Sequence, residues 1–201
     1  MNEPVVDVDP ENFFSFEMHC EKKLAPLPYI GEEFRRESFA TVFMAWSEHG
    51  LSWKIQVTLG KDLAVSYPKI TSGDCIELFI DTRDVKQART THRYCHHFFF
   101  LPEHFEGISR GEITKFRTED IHELCPPDDL ELQIARHTSY YVADIFIPKS
   151  ALYGYDPQEG AYLGFTYRIH RSDGLTQLLG FANDELAIER YPYLWSSIHL
   201  A

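Results

Sequence analysis

The chain has 201 residues, 31 acidic against 19 basic side chains, and a formal net charge of −12. That balance argues against a nucleic-acid binder, whose affinity rests on Lys and Arg neutralising phosphates, and against docking on an anionic membrane. No apolar run approaches the roughly 18 residues of a membrane span, and the start Met-Asn-Glu-Pro shows no export signal, so a cytoplasmic protein is expected.

Period-two alternation recurs along the chain, and long helical periodicity is nearly absent. Phe14, Phe16, Met18 and Cys20 alternate with polar residues and predict a first strand, and the segment 22–31, with Pro26 and Pro28, predicts a loop. Two further strands, 39–46 and 51–58, are joined by Ser47-Glu48-His49-Gly50, a hairpin signal. The pattern continues with 74–81, with 93–101 closed by Pro102, and with weaker runs at 112–116 and 130–137. Segment 139–147 stops at Pro148, one helical turn follows over 149–153, and 161–170 ends in the turn Arg171-Ser172-Asp173-Gly174. Residues 194–200 close the list. About ten short strands with minimal helix predict an all-β, single-domain antiparallel β-sandwich over residues 1–201, with its core over about 12–201. The aromatic content of 14% suits the same class, since aromatic side chains pack well on pleated, half-buried surfaces. Cys20, Cys75, Cys95 and Cys125 form no C-x-x-C pair and are expected to be reduced, buried thiols.

Five segments, taken in order, carry a family resemblance. They are Gly50-Leu51-Ser52-Trp53; Gly73-Asp74-Cys75-Ile76-Glu77-Leu78-Phe79-Ile80-Asp81; Tyr141 to Pro148 followed by Ser150-Ala151-Leu152; Tyr162 to Ile169; and Leu194-Trp195-Ser196-Ser197-Ile198-His199-Leu200, with an aromatic strand around Tyr94 between the second and third. Together, from roughly Phe13 to the end, they resemble the family 9 carbohydrate-binding modules within the DOMON-like β-sandwiches. The resemblance implies a jelly-roll-like or immunoglobulin-like sandwich and a carbohydrate ligand. It also implies a ligand contact at Glu77, an amide where this chain has Arg168, and two tryptophans at or near Thr71 and near Glu189. This chain has no aromatic at either place; Tyr67, Tyr191 and Tyr193 are the nearest substitutes.

Alternation indicates where a site would sit. Ile76, Leu78 and Ile80 share one strand face and must enter the core, so Glu77, Phe79 and Asp81 share the opposite face. An aromatic plane and carboxylates are what a sugar ring and its hydroxyls require. The expected ligand-binding set on that face is Glu77, Phe79, Asp81, Arg93, His97, Arg168 and His170, with Phe79 stacking, Glu77 and Asp81 accepting, and Arg93 and Arg168 donating. Its cationic share points to a sugar or an acidic sugar derivative. An ion pair between Glu77 and Arg168 is the other reading of those two residues. Alanine at either is expected to weaken binding without unfolding the domain.

The segment 92–100 places His92, Cys95, His96 and His97 close in sequence. On a strand His96 and His97 face opposite ways, so one ion would need a further ligand from His104, His122 or His170. No metal-site spacing is present, Asp81 and Asp84 read as an acidic turn before they read as calcium ligands, and no catalytic motif appears. No metal, no cofactor and no catalytic residue are therefore expected. Two alternatives stay open: a metal-dependent enzyme centred on His92, Cys95, His96 and His97, and a protein-interaction sandwich with a protein partner or a homo-oligomer.

Overall fold

Alternating side chains sort the strands of this computed structural model into two layers; it describes residues 6–7, 15–18, 24–27, 38–179 and 187–200. The strands are β1 (Val6–Asp7), β2 (Ser15–Met18), β3 (Ala25–Pro26), β4 (Ala40–Ser47), β5 (Gly50–Thr58), β6 (Cys75–Asp81), β7 (Cys95–Phe105), β8 (Ile108–Glu112), β9 (Glu131–Arg136), β10 (Tyr140–Pro148), β11 (Tyr162–His170), β12 (Thr176–Leu178) and β13 (Ser196–Leu200). One sheet runs β1-β2-β13-β11-β6-β7-β8, with β12 attached to β11, and the other runs β3-β4-β5-β10-β9. Every pairing is antiparallel except that of β13 with β2, which is parallel. The fold is thus an all-β sandwich, and no α-helix occurs among the described residues.

Inward-facing positions of both sheets meet in one apolar cluster. Trp53, Ile55 and Val57 of β5 and Ala143, Ile145 and Ile147 of β10 oppose Ile76, Leu78 and Ile80 of β6 and Phe165, Tyr167 and Ile169 of β11. Trp53 and Phe165 stack across the interlayer space with ring centroids 5.8 Å apart. Burial on this face fixes strand register, because a one-residue slip would turn every apolar side chain outward.

The hairpin expected at 47–50 forms between β4 and β5. Gly50 adopts φ +146°, and a Cβ there would stand 2.2 Å from the Ile147 carbonyl oxygen, so this turn requires glycine. Three sequence expectations change. The strand expected to close at Pro102 continues to Phe105 as β7, because the register between β7 and β8 is irregular over that stretch and proline is tolerated at such a bulge. β8 lies at 108–112 and not at 112–116: Glu106 and Gly107, both at positive φ, turn the chain back tightly after Phe105. Within the expected loop 22–31, Ala25 and Pro26 pair with Met44 and Phe43 as a short edge strand. Residues 14, 19 and 20 of the first expected strand lie outside the described residues, and 15–18 form β2.

One polar side chain joins the layers. Gln177 on β12 is 1% exposed; its Oε1 accepts from the backbone N–H groups of Phe39 and Ala40, 2.9 Å each, and its Nε2 donates to the Ala40 carbonyl at 2.8 Å. The amide thus pairs with the start of β4 as a strand backbone would. Gln177→Ala orphans the two buried N–H groups of Phe39 and Ala40 at once, while the Ala40 carbonyl keeps the Ser38 hydroxyl, and chemical denaturation should show a loss of about 2–4 kcal/mol.

Candidate functional site

The outer face of the larger sheet is covered at both ends and open between. At one end Ile70 packs on Cys75 and Phe99, with Tyr67 stacked on the Phe99 ring. At the other, Ile188 and Trp195 pack with Leu178 on Phe79 and Cys95. Trp195 is held there by its indole N–H, which donates to the Ile188 carbonyl. Between the two covers lies a cleft of about 260 Å³ lined by Lys69, Thr71, Glu77, His97, Lys115, Arg168 and Glu189, among others.

Strand register builds its floor. Glu77 stands opposite Arg168 on β11, and Phe79 opposite His97 on β7. Arg168 grips the Glu77 carboxylate with both prongs, Nε to Oε2 at 2.6 Å and Nη2 to Oε1 at 3.0 Å. His97 Nε2 meets Oε1 at 2.8 Å and His170 Nε2 meets Oε2 at 2.6 Å. Each carboxylate oxygen thus has two partners, and the Glu77 side chain is 1% exposed. Burial pushes the carboxyl up, but the hydrogen bonds from His170, His97 and Arg168 outweigh it and hold Glu77 well below the ordinary carboxylate range. The side chains of His97, Arg168 and His170 keep 12%, 16% and 10% exposure, and His97 and Arg168 line the cleft beside the carboxylate they hold. Arg168 also reaches Glu189 at 3.3 Å.

Four of the seven expected site residues, Glu77, His97, Arg168 and His170, therefore converge. The other three do not join them. Phe79 is wholly buried, with His97 stacked on its ring at 4.2 Å, Trp195 at 5.8 Å and the Arg168 guanidinium 5.5 Å from the centroid, so it has no face left for a sugar. Asp81 is 2% exposed and accepts from the backbone N–H groups of Arg83 and Val85, which shapes the turn after β6. Arg93 precedes β7 and pairs with Asp120. Removing Glu77 would also carry a structural cost, since Arg168, His97 and His170 would all lose their acceptor.

The histidine-rich segment separates into three environments. His97 belongs to the cleft; His92 and Cys95 lie beside Asp81; His96 faces Glu112 and His122. An enzyme centre uniting His92, Cys95, His96 and His97 has no support in this geometry. Burial raises the Cys95 thiol far above its ordinary range, with the Asp81 charge adding to the shift, which disfavours the thiolate. Asp84 accepts from Ser197 and pairs with Lys86. Alternation also gave no hint of Lys69, Lys115 or the apolar covers, because loops reach over the sheet from distant parts of the chain.

Two other clefts lie apart from this floor. One of about 400 Å³ lies on the outer face of the smaller sheet beside Trp46, Asp144 and Phe146. The other, of about 720 Å³, is lined by Lys86, Gln87, Arg89, Tyr191 and Tyr193. Thr71 and Glu189, the positions where the family resemblance implies tryptophans, do line the Glu77 cleft.

The sequence matches no family model and no curated protein. The fold, by contrast, is shared with solved structures. A family 9 carbohydrate-binding module from Caldicellulosiruptor kristjanssonii in complex with cellotriose superposes with a TM-score of 0.59 at 15% identity, over 80% of this chain and 74% of that one. The same organism's module in complex with glucose gives 0.58 at 15% identity, over 100% and 92%. A putative carbohydrate-binding protein from Bacteroides uniformis gives 0.54 at 8% identity, over 89% and 86%. The chain therefore has a family 9 module-like fold.

The Glu77 hub makes a pH prediction with a definite sign. A carboxyl held below its ordinary value of 4.5 contributes stability that is present above that value and lost as pH falls below it. Glu77→Gln should lose about 3–5 kcal/mol at pH 7, and denaturation at pH 7, 5 and 3 should show a smaller fall with acid than in wild type.

Proposed function

We propose that this chain is a non-catalytic binding domain for an acidic sugar derivative, a uronic acid or a sugar phosphate, held in the cleft over Glu77. The observation that carries this reading is the composition of the cleft. Lys69, Lys115 and Arg168 line it, while of its two carboxylates Glu77 is engaged by Arg168, His97 and His170 and Glu189 by Arg168. A neutral sugar held between aromatic planes would find Thr71 and Glu189 there instead. A negatively charged substituent would find ammonium groups and an oriented guanidinium, whose hydrogen bonds to anions are stronger than neutral ones. The family 9 module structures bound to cellotriose and glucose support a carbohydrate as the general ligand class. The free, buried thiols of Cys75, Cys95 and Cys125 fit a reducing compartment, and we place the protein in the cytoplasm on that ground.

Calorimetry with glucuronate, glucose 6-phosphate, glucose and cellotriose tests this reading. The two charged ligands should bind more tightly than the neutral ones and weaken as salt is added. The exposed-residue variants Lys69→Ala and Lys115→Ala should each reduce charged-ligand affinity by about tenfold, the loss of one partly screened ion pair. Equal affinity for glucose, untouched by either variant, would overturn the assignment.

A further inference from the structure

A second buried carboxylate sits between the sheets where β8 ends. Glu112 lies opposite Phe98, on the inner side of its sheet, beneath the chain that runs from 113 to 126. Its Oε1 has His96 Nδ1 at 3.0 Å, His122 Nε2 at 2.8 Å and the Thr114 hydroxyl at 2.6 Å, and its Oε2 accepts from the Cys125 backbone N–H at 2.8 Å. The three side chains of His96, Glu112 and His122 are 1%, 0% and 2% exposed. Phe98 stacks on His96, and Phe116 packs edge-on against His122.

Counting protons exposes the difficulty. The outward nitrogen of each ring faces a backbone carbonyl: His122 Nδ1 lies 2.7 Å from the Arg93 oxygen, and His96 Nε2 lies 3.5 Å from the Tyr153 oxygen. All four ring nitrogens thus look at oxygen acceptors, while a neutral imidazole carries one proton. If that proton lies outward, each ring turns a lone pair toward the carboxylate. Extra protons would instead place two cations in an enclosed apolar pocket, with ring centroids 4.2 Å apart, against a single anion.

We infer that His96, Glu112 and His122 bind a divalent first-row transition-metal ion such as Zn²⁺. A metal ion removes the conflict, since each neutral ring then ligates inward and donates its N–H outward to a carbonyl. That outer-shell arrangement is the one that fixes ring orientation in metal-ligating histidines. Two imidazoles and a carboxylate suit zinc, iron, cobalt or nickel. The three ligand atoms lie within 4.8 Å of one another, a span that an ion with bonds of about 2.1 Å bridges after a small outward movement of the rings. With its three ligands drawn from β7, β8 and the loop between 113 and 126, the ion would fasten that segment to the two strands. This inference is independent of the sugar reading.

The test uses tag-free protein stripped with a chelator and titrated with Zn²⁺ and with Co²⁺. Expected are one equivalent bound per chain, a cobalt d–d absorption band and a raised melting temperature. His122→Asn, which alters a loop residue and leaves both strands intact, should weaken cobalt binding by more than about tenfold. His92→Asn, in the neighbouring Asp81, His92 and Cys95 group, should leave it unchanged. Circular dichroism confirms that each variant is folded, and Glu112→Gln repeats the test if His122→Asn is not. No binding of either metal by wild type, or binding lost in His92→Asn and kept in His122→Asn, would overturn the assignment.

Discussion

A carboxylate buried on the middle strand of a sheet, with every oxygen engaged by the strands on either side, is the constraint around which this fold is arranged. Glu77 is held ionised in that position by hydrogen bonds that arrive from β7 and β11 together, and the register that delivers His97, Arg168 and His170 is the same register that turns Ile76, Leu78 and Ile80 into the core. Electrostatics on one face and packing on the other therefore select a single alignment of three strands. A hub of this kind spends the carboxylate internally, and the rim of the cleft is left to Lys69, Lys115, Arg168 and Glu189.

The apolar covers set the limits of that rim. An outer sheet face of a sandwich is ordinarily wet, yet here Trp195 and Ile188 shield one end and Ile70 the other. The uncovered patch is a slot, and the residues that border it come from loops. In the family 9-like fold this permits the ligand chemistry to change without touching the strands, since Thr71, Lys69 and Glu189 sit where no core contact depends on their identity.

Alternation made the strands and the faces readable, including the opposed directions of His96 and His97, and it left the Glu77–Arg168 ion pair, which does form, as one of two readings of those residues. It could not show that Phe79, correctly placed on the outer face, is roofed by a tryptophan more than a hundred residues later. Nor could it join His96 to Glu112 and His122, because the approach depends on a hairpin at Glu106-Gly107 and on the path of a long loop. Period two reports which side a residue takes, and it is silent on what the rest of the chain lays over that side. Pro102 misled for a related reason: a proline stops a regular ladder, but β7 is irregular there.

The Gln177 clamp has a dynamic corollary. The amide protons of Phe39 and Ala40 are held by a side chain that belongs to β12, on the far layer, and not by a neighbouring strand of their own sheet. Their exchange with solvent deuterium therefore follows the rate at which the two layers part at this seam, while the amides inside the β4–β5 ladder follow the opening of that hairpin. Two adjacent residues where the chain enters β4 thus serve as a clock for interlayer breathing.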